Sequence, residues 1–219
     1  MEDGIVLIDK PTGMTSFGVV ARIRRVLSRQ AGKKVKVGHC GTLDPFATGL
    51  LILVTGKMTR KAMEYTKLDK VYEAEIVLGQ ESTTGDPEGE ITNVSADVPS
   101  QEMVTEVLAR FTGEVTQRPP IFSAIKINGQ RAYKLARDGK EVEIPERTVT
   151  IHSLELIDYS YPSVTIRTHV SSGTYIRSLA VDIGAALGTG AYCRELRRTR
   201  IAEWDVAYAQ QLSDFGITS

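Results

Sequence analysis

The sequence, 219 residues long, has little of what marks a secreted or membrane-bound protein. Cys40 and Cys193 are its only cysteines, which argues against a disulfide scaffold and for a reducing compartment. Its longest apolar runs, Ile5–Ile8 and Leu50–Val54, are far shorter than the roughly 20 residues that span a bilayer. The first run follows acidic residues, whereas a signal peptide begins with basic ones. We therefore expect a cytoplasmic protein with no membrane partner.

Sequence motifs of the common cofactor enzymes are also missing. The chain has no G-x-x-x-x-G-K-[ST] phosphate loop, and Gly188-Thr189-Gly190 is too short for a dinucleotide loop. It has no C-x-x-C or H-x-x-x-H spacing and its histidines are scattered, which argues against a transition-metal site. The G-x-S-x-G elbow of serine hydrolases is absent as well. We expect neither metal nor cofactor, so a catalyst of this composition would work through a carboxylate, a tyrosine and an arginine.

Charge is balanced in total but segregated along the chain. The net charge is zero, yet residues 10–36 hold eight Lys or Arg and no acid, and residues 73–106 hold nine Asp or Glu and no Lys or Arg. Residues 194–200 hold four Arg against one Glu. This pattern has two interpretations: the basic residues form a face that binds a polyanion, or the charged runs simply face solvent. The apolar content of 42% excludes a disordered or fibrous chain, and the length fits one domain over residues 1–219.

Hydrophobic periodicity predicts an α+β fold with a mixed sheet, because strands and isolated helices follow one another without regular βαβ alternation. Residues 37–45 are rich in breakers and predict a loop. Residues 117–147 contain Pro119-Pro120, the hairpin signal Asn128-Gly129 and an excess of basic residues, which predicts a projecting arm. Strands are predicted at Gly4–Asp9, Leu50–Val54, Tyr72–Leu78, Val149–Tyr159 and Val164–Val170, and helices after Thr15 or Ser16, near Met58–Thr66, after Ser100 with Met103 on its apolar face, and over Ile176–Leu187.

Asp44 is the best candidate for a catalytic group. It lies between Gly41 and Gly49, which permit unusual backbone geometry, and Pro45 holds it in an extended conformation. The alternative is that Asp44-Pro45 only opens a turn.

Three further residues are open to two interpretations. Tyr72 and Tyr175 could stack on a ligand or belong to the core. Arg177 lies just inside a helix N-terminus, where the helix dipole disfavours a cation, so an anionic partner is expected. From the residues alone the chain is either an enzyme or an RNA-binding protein.

Several motifs, in order along the chain, resemble those of the TruB family of pseudouridine synthases. The loop Gly41–Leu51 resembles the family's catalytic motif, and the similarity extends over residues 4–201. The other matching segments are Gly4–Ser16, Lys36–His39, Lys70–Tyr72, Arg118–Ala124, Gly173–Leu179 and Leu196–Thr199. The resemblance implies a mixed, mainly antiparallel sheet flanked by helices, with an inserted RNA-gripping arm at about 117–147. It also implies isomerisation of uridine to pseudouridine in the T-loop of tRNA, at position 55.

The resemblance also assigns roles to individual residues. Asp44 would add covalently to the substrate, and Tyr72 would stack on the flipped uracil. Arg177 would pair with Asp44 and keep it ionised, since a neighbouring Arg lowers a carboxylate pKa by about 1–3 units. Tyr175 and Leu196 would line the pocket.

The remaining assigned residues would contact RNA. His39 would fill the space that the flipped base vacates, and Lys10 would shape the site from below as part of the substrate-binding set. Four arginines, Arg22, Arg25, Arg118 and Arg137, would bind the T-loop and T-stem. We expect a monomer without an obligate protein partner.

The chain departs from the family pattern in a few places. Cys40 stands where Thr is usual, and Phe17-Gly18 replaces His-Asp. Many bacterial relatives continue into a C-terminal PUA-type domain, and we expect no separate RNA-binding domain here. Two alternatives remain open: a catalytic subunit of a guide-RNA complex, and a non-catalytic RNA-binding or RNA-folding protein.

Overall fold

A computed structural model describes residues 3–123, 125–127, 130–132 and 144–218. The chain divides into two compact units. The first comprises Met1–Tyr72 and Arg197–Ser219, and the second comprises Glu73–Leu196. None of the described helices is long and apolar enough to cross a membrane.

The strands and helices of the described residues are numbered here in chain order. The strands are β1 (Gly4–Lys10), β2 (Val37–Cys40), β3 (Thr48–Thr55), β4 (Lys70–Leu78), β5 (Gln80–Ser82), β6 (Ile91–Asn93), β7 (Gly113–Gln117), β8 (Lys126–Ile127), β9 (Gln130–Arg131), β10 (Arg147–Ser160), β11 (Ser163–Val170), β12 (Ala191–Ile201) and β13 (Trp204–Asp205). The α-helices are α1 (Ser16–Ala31), α2 (Ala62–Thr66), α3 (Gln101–Arg110) and α4 (Ile176–Leu187). Short 3-10 helices lie at Gly56–Lys61, Val206–Tyr208 and Leu212–Phe215.

Strand β3 is the centre of the first unit. It pairs antiparallel with β1 and β2 and parallel with β12 at Arg197 and Arg198. Residues Leu50–Val54 are fully buried, because α1 covers one face of β3 and the segment around Trp204 covers the other. Each such Leu, Ile or Val side chain contributes about 1.5–3 kcal/mol on burial, so this short run is a main source of the unit's stability.

Helix α1 begins where the sequence predicts. The Thr15 hydroxyl accepts a hydrogen bond from the Gly18 N–H and so caps the helix. Its buried residues are those of the apolar period, Val19, Val20, Ile23 and Leu27, whereas Arg22 and Arg25 on the opposite face are exposed.

The second unit is built around β10, which pairs antiparallel with β11 on one side and with β7 on the other. The strand order in this unit is β12-β4-β11-β10-β7. Helices α3 and α4 pack against each other, and α3 also packs on β10. The Ser100 hydroxyl caps α3 by accepting a hydrogen bond from the Met103 N–H. The two units together confirm the predicted α+β class with a mixed, mostly antiparallel sheet.

Three local predictions need correction. Val37–Cys40 forms a strand instead of a loop, because its backbone groups pair with Ile52–Thr55 at an open edge of β3. The helix predicted near Met58–Thr66 is split into a 3-10 helix, Gly56–Lys61, and the short α2. Met103, expected on the apolar face of α3, is 50% exposed.

The predicted arm lies partly outside the described residues, which omit 124, 128–129 and 133–143. Strands β8 and β9 pair at Ile127 and Gln130, on either side of the predicted turn Asn128-Gly129. That residues 117–147 grip RNA, and that residues 1–219 act as one catalytic domain, stay predictions.

Candidate active site

The loop that carries Asp44 connects β2 to β3 in the first unit, and buried side chains hold its backbone. The Ser16 hydroxyl accepts from the Leu43 N–H at 2.9 Å and donates to the Leu43 carbonyl at 3.0 Å. On the other side of Asp44, the Pro45 carbonyl accepts from the Gly13 N–H at 2.8 Å. Asp44 itself is half-buried. The backbone on both sides of Asp44 is therefore fixed by hydrogen bonds with residues 13 and 16.

Lys10 lies directly under this loop. Its side chain is fully buried, and its ammonium donates to the carbonyls of Pro11, Met14 and Pro45 at 2.8, 2.7 and 3.2 Å. A direct contact with RNA is not open to a side chain in this position. Lys10 instead holds the turn at residues 11–14 against the end of the Asp44 loop.

A second buried cation, Arg198, holds the start of the loop. Its guanidinium donates to the Gly41 carbonyl at 3.0 Å and to the Leu50 carbonyl at 2.8 Å. Gly41 has a φ of +86°, and a Cβ there would lie 3.3 Å from the Lys70 side chain and 3.5 Å from Arg198. The backbone conformation therefore favours glycine, and any larger residue would also have to displace the Lys70 side chain slightly.

Two groups beside Arg198 have shifted pKa values. Burial, together with the neighbouring Arg198 charge, lowers the pKa of Lys70 from 10.5 to about 8. Burial raises the pKa of the Cys40 thiol to about 11, against the opposing effect of Lys70 and Arg198. The Lys70 ammonium donates to the carbonyls of Thr66 and Leu68, at the end of α2. Cys40 is thus an inert thiol at neutral pH.

The other predicted residues of the first unit lie on its strands. His39 is half-buried in β2 opposite Leu53, and Tyr72 in β4 is only 7% exposed. A ring so well covered resembles a core residue, and its stacking on a uracil stays a prediction.

Arg177 is the second residue of α4 in the second unit, and it forms a buried ion pair. Its guanidinium donates to the Asp86 carboxylate at 2.9 Å, and both side chains are less than 5% exposed. It also donates to the carbonyls of Thr84 and Phe122. The expected anionic partner is therefore present in Asp86, whose charge offsets that of a cation at a helix N-terminus. A pairing of Arg177 with Asp44 stays a prediction.

Asp86 was missed by the sequence reasoning. Its carboxylate also accepts from the Thr84 hydroxyl and the Glu88 N–H, which fixes its orientation. The available signal was Gly85-Asp86-Pro87, a second acidic residue between a glycine and a proline.

Tyr175 and Leu196 also lie in the second unit. Tyr175 directly precedes α4, and its backbone N–H and carbonyl both bond the Gln117 side chain at 3.0 Å. Its ring is half-buried and lies 4.8 Å from the Arg147 guanidinium, within cation–π range. Leu196 is a buried residue of β12. Their contact with substrate stays a prediction.

The predicted RNA-binding arginines have different surroundings. Arg22 and Arg25 are exposed on α1. Arg118 is exposed and pairs with the equally exposed Glu146 at 2.9 Å. Arg137 lies outside the described residues.

Of the four arginines at residues 194–200, only Arg194 and Arg200 are exposed, so the run is not one continuous solvent-facing patch. Arg194 pairs with Glu75, Arg197 makes two hydrogen bonds to Asp9, and Arg198 is fully buried. A more open basic surface lies in the first unit, where a cleft of about 320 Å³ is lined by five cations. These are Lys33, Lys34, Lys36, Lys57 and Arg60.

Comparison with known proteins identifies the family. Residues 24–176 match the family described as TruB family pseudouridylate synthase, N-terminal domain. The chain belongs to the TruB family. Residues 177–216 match the C-terminal domain of tRNA pseudouridylate synthase B.

Curated relatives of this TruB-family chain have similar sequences over nearly its full extent. It is 48% identical to tRNA pseudouridine synthase B of Azoarcus sp. (strain BH72), over 96% of this chain and 68% of the relative. It is 47% identical to the protein of the same name from Parabacteroides distasonis, over 91% of this chain and 86% of the relative.

Among solved structures, a chain from the crystal structure of a Cbf5-Nop10-Gar1 complex superimposes with a TM-score of 0.74 and 33% identity. The match covers 96% of this TruB-family chain and 53% of the solved one, so the chain spans about half of that protein's length.

Proposed function

We propose that this chain isomerises uridine to pseudouridine at position 55 in the T-loop of tRNA. Its family and the name shared by its curated relatives, tRNA pseudouridine synthase B, support this activity. The observation that carries the proposal is the loop of Asp44, whose flanking residues are held by the Ser16 hydroxyl, the buried Lys10 ammonium and the Gly13 N–H. A loop fixed in this way presents a carboxylate to a substrate without reorganisation.

The reaction needs few protein groups. The N1–C1′ glycosidic bond of uridine breaks, the uracil turns and a C5–C1′ bond forms. The C5 proton leaves and N1 takes up a proton, so that the product is an isomer of the substrate. Asp44 would add to the base or to the ribose and leave again, so that no external oxidant or reductant takes part. Unstacking the target base costs a few kcal/mol, and stacking on an aromatic ring returns about 1–3 kcal/mol. In this proposal Tyr72 and Tyr175 provide that aromatic surface.

Arg177 would act electrostatically. The geometry that supports this role is its rigid placement, because Asp86 and two carbonyls fix the guanidinium at the start of α4. A guanidinium held in one orientation can pair with a carboxylate or a phosphate without paying the entropy of ordering its side chain.

RNA would bind through the basic surfaces of the first unit. The cleft lined by Lys33, Lys57 and Arg60 and the exposed Arg22 and Arg25 of α1 offer cations to phosphates. Arg118 and the arm would add contacts from the second unit. We further propose that the chain is cytoplasmic and works as a monomer. Its two cysteines are buried and form no disulfide, as in proteins of reducing compartments.

A guide-dependent enzyme is the second candidate, favoured by the likeness to the solved Cbf5-Nop10-Gar1 complex. The two candidates differ in what the reaction requires. A stand-alone enzyme modifies a T-loop RNA by itself, whereas a guide-dependent subunit needs a second RNA and protein partners.

The test is tritium release from a T-loop transcript labelled at C5 of its uridines, without added protein or guide RNA. Wild type should release tritium, and Asp44→Asn should release none while keeping its affinity for the RNA. Asp97→Asn, a change at an exposed carboxylate, is the control and should match wild type. Absence of release from a folded wild type that binds both the minimal loop and full-length tRNA would refute the proposal. Release only after adding a guide RNA would favour the second candidate.

A further inference from the structure

Several side chains near Asp44 form hydrogen bonds with the backbone of its loop. Ser16 acts nearest to Asp44, because both of its bonds go to the preceding residue, Leu43. It is 1% exposed, at the first position of α1, and is 27 residues away from Leu43 in the sequence. A serine hydroxyl has one hydrogen to donate and lone pairs to accept, and Ser16 uses both on Leu43.

The Ser16 hydrogen bond to the Leu43 carbonyl fixes the peptide plane between Leu43 and Asp44. The next peptide plane joins Asp44 to Pro45, and the proline restricts Asp44 to extended conformations. The carbonyl of that plane, which is the Asp44 carbonyl, accepts from the Ala47 N–H at 3.2 Å, and the next carbonyl, that of Pro45, accepts from the Gly13 N–H. With the planes on both sides of Asp44 fixed, its Cα–Cβ bond has one direction, which sets where the carboxylate can lie.

Arg198 fixes the beginning of the same loop. It is fully buried, and the ion pairs of the described residues give it no carboxylate partner. Burying an unpaired charge is costly, so a position that retains one indicates a use for its donors. Its fork spans the Gly41 carbonyl on one side of Asp44 and the Leu50 carbonyl in β3 on the other.

The backbone of Arg198 packs closely against β3. It runs parallel to β3 at Gly49, where a Cβ would lie 2.3 Å from the Arg198 carbonyl oxygen. Gly49 has a φ of +102°, so glycine is required there on both counts. This close approach of β12 to β3 fixes the position of the Arg198 backbone, from which the guanidinium reaches the loop.

We propose that Ser16 and Arg198 are positioning residues that hold the Asp44 carboxylate in its reactive orientation. They act through the backbone of the loop and do not touch the substrate. The inference rests on the proposed function, since it assigns Asp44 the reacting carboxylate. It predicts that losing either residue slows the chemical step and leaves RNA affinity unchanged.

The experiment measures single-turnover tritium release at saturating enzyme, together with the dissociation constant for the same T-loop RNA. Ser16→Ala should lower the rate constant by about 10- to 100-fold, the effect of misplacing a reacting group by about 1 Å. The dissociation constant should stay within about twofold of wild type, because an interaction made only in the transition state affects the rate alone.

Ser28→Ala is the matched control. Ser28 lies on the same helix, but its hydroxyl accepts from the Val35 N–H at 3.0 Å and not from the loop of Asp44. This variant loses a backbone hydrogen bond of the same kind and should keep the wild-type rate. Measurements are made at 25 °C, after thermal melting has shown that each variant is folded.

A second pair of variants covers the case in which Ser16→Ala does not fold. Arg198→Lys keeps the positive charge but loses the fork to two carbonyls, and should show the same separation of rate from affinity. Arg200→Lys, at an exposed position of the same strand, is its control.

The inference is overturned if the folded variant keeps a rate within about threefold of wild type, well below the expected loss. It is also overturned if the loss lies in RNA affinity and not in the rate. Failure of wild type itself to release tritium would instead count against the proposed function.

Discussion

The buried pair Arg177–Asp86 allows a prediction whose size follows from burial. Asp86→Asn keeps the shape of the side chain and its acceptor oxygen for the Thr84 hydroxyl and the Glu88 N–H. It replaces the oxygen 2.9 Å from the Arg177 guanidinium by an amide group that no longer carries charge. A guanidinium that is 3% exposed is then left without its carboxylate.

The expected loss is large. Breaking a buried ion pair by removing one partner costs about 3–5 kcal/mol. For a chain of this length each kcal/mol lowers the melting temperature by about 2–4 °C, so Asp86→Asn should melt about 6–20 °C below wild type. Thermal unfolding followed by circular dichroism measures the shift.

The protein contains its own control. Arg118 and Glu146 form a pair of the same 2.9 Å length, but their side chains are 67% and 53% exposed. Glu146→Gln should therefore cost at most about 1 kcal/mol. Adding Arg177→Met to Asp86→Asn should restore part of the stability, because it removes the stranded charge. Equal shifts for the buried and the exposed pair would refute the reasoning.

Two further predictions concern charge. Between pH 8 and 10.5 the unfolded chain holds the Lys70 proton that the folded chain has lost, so Lys70 should contribute a rise in the free energy of unfolding with pH of up to about 3 kcal/mol. The raised pKa of Cys40 acts in the opposite direction above about pH 9, so the rise is measured as the difference between wild type and Lys70→Met. Lys70→Met should abolish this rise in urea titrations, and an unchanged slope would contradict the assignment. Replacing Arg22 and Arg25 by Ala should weaken T-loop RNA binding and flatten its log–log salt dependence by about 0.7 per lost contact with a single-stranded phosphate. Arg110→Ala on α3 is the control. An unchanged salt slope in the double variant would contradict the prediction and would mean that this face of α1 is exposed to solvent without binding RNA.

Local patterns predicted the framework well. The run Leu50–Val54 is apolar at every position, and a strand with no polar face has to be covered on both sides, as β3 is. The cap at Thr15 and the period of α1 depend only on residues near in sequence, so they too could be predicted.

Contacts between distant residues could not be predicted in the same way. The sequence indicated that Arg177 needs an anion, but nothing local distinguishes Asp86, 91 residues away, from other acids. Arg197 and Arg198 illustrate the same limit. They are adjacent and chemically identical, yet one pairs with Asp9 and is partly exposed, whereas the other is fully buried. Because successive side chains of a strand point to opposite faces of the sheet, the two arginines have different surroundings. A count of charges along the sequence does not reveal this difference.

The division of the chain has a consequence for the order in which it folds during synthesis. The second unit is one continuous stretch, Glu73–Leu196, and all its strands are available once that stretch has left the ribosome. The first unit is interrupted: its β3 lacks a parallel neighbour until Arg197 and Arg198 emerge, more than a hundred residues after Thr48. Domains generally fold as units during translation, so the later-starting unit should complete its fold first. The residues that hold the Asp44 loop from below would then be among the last to take their places.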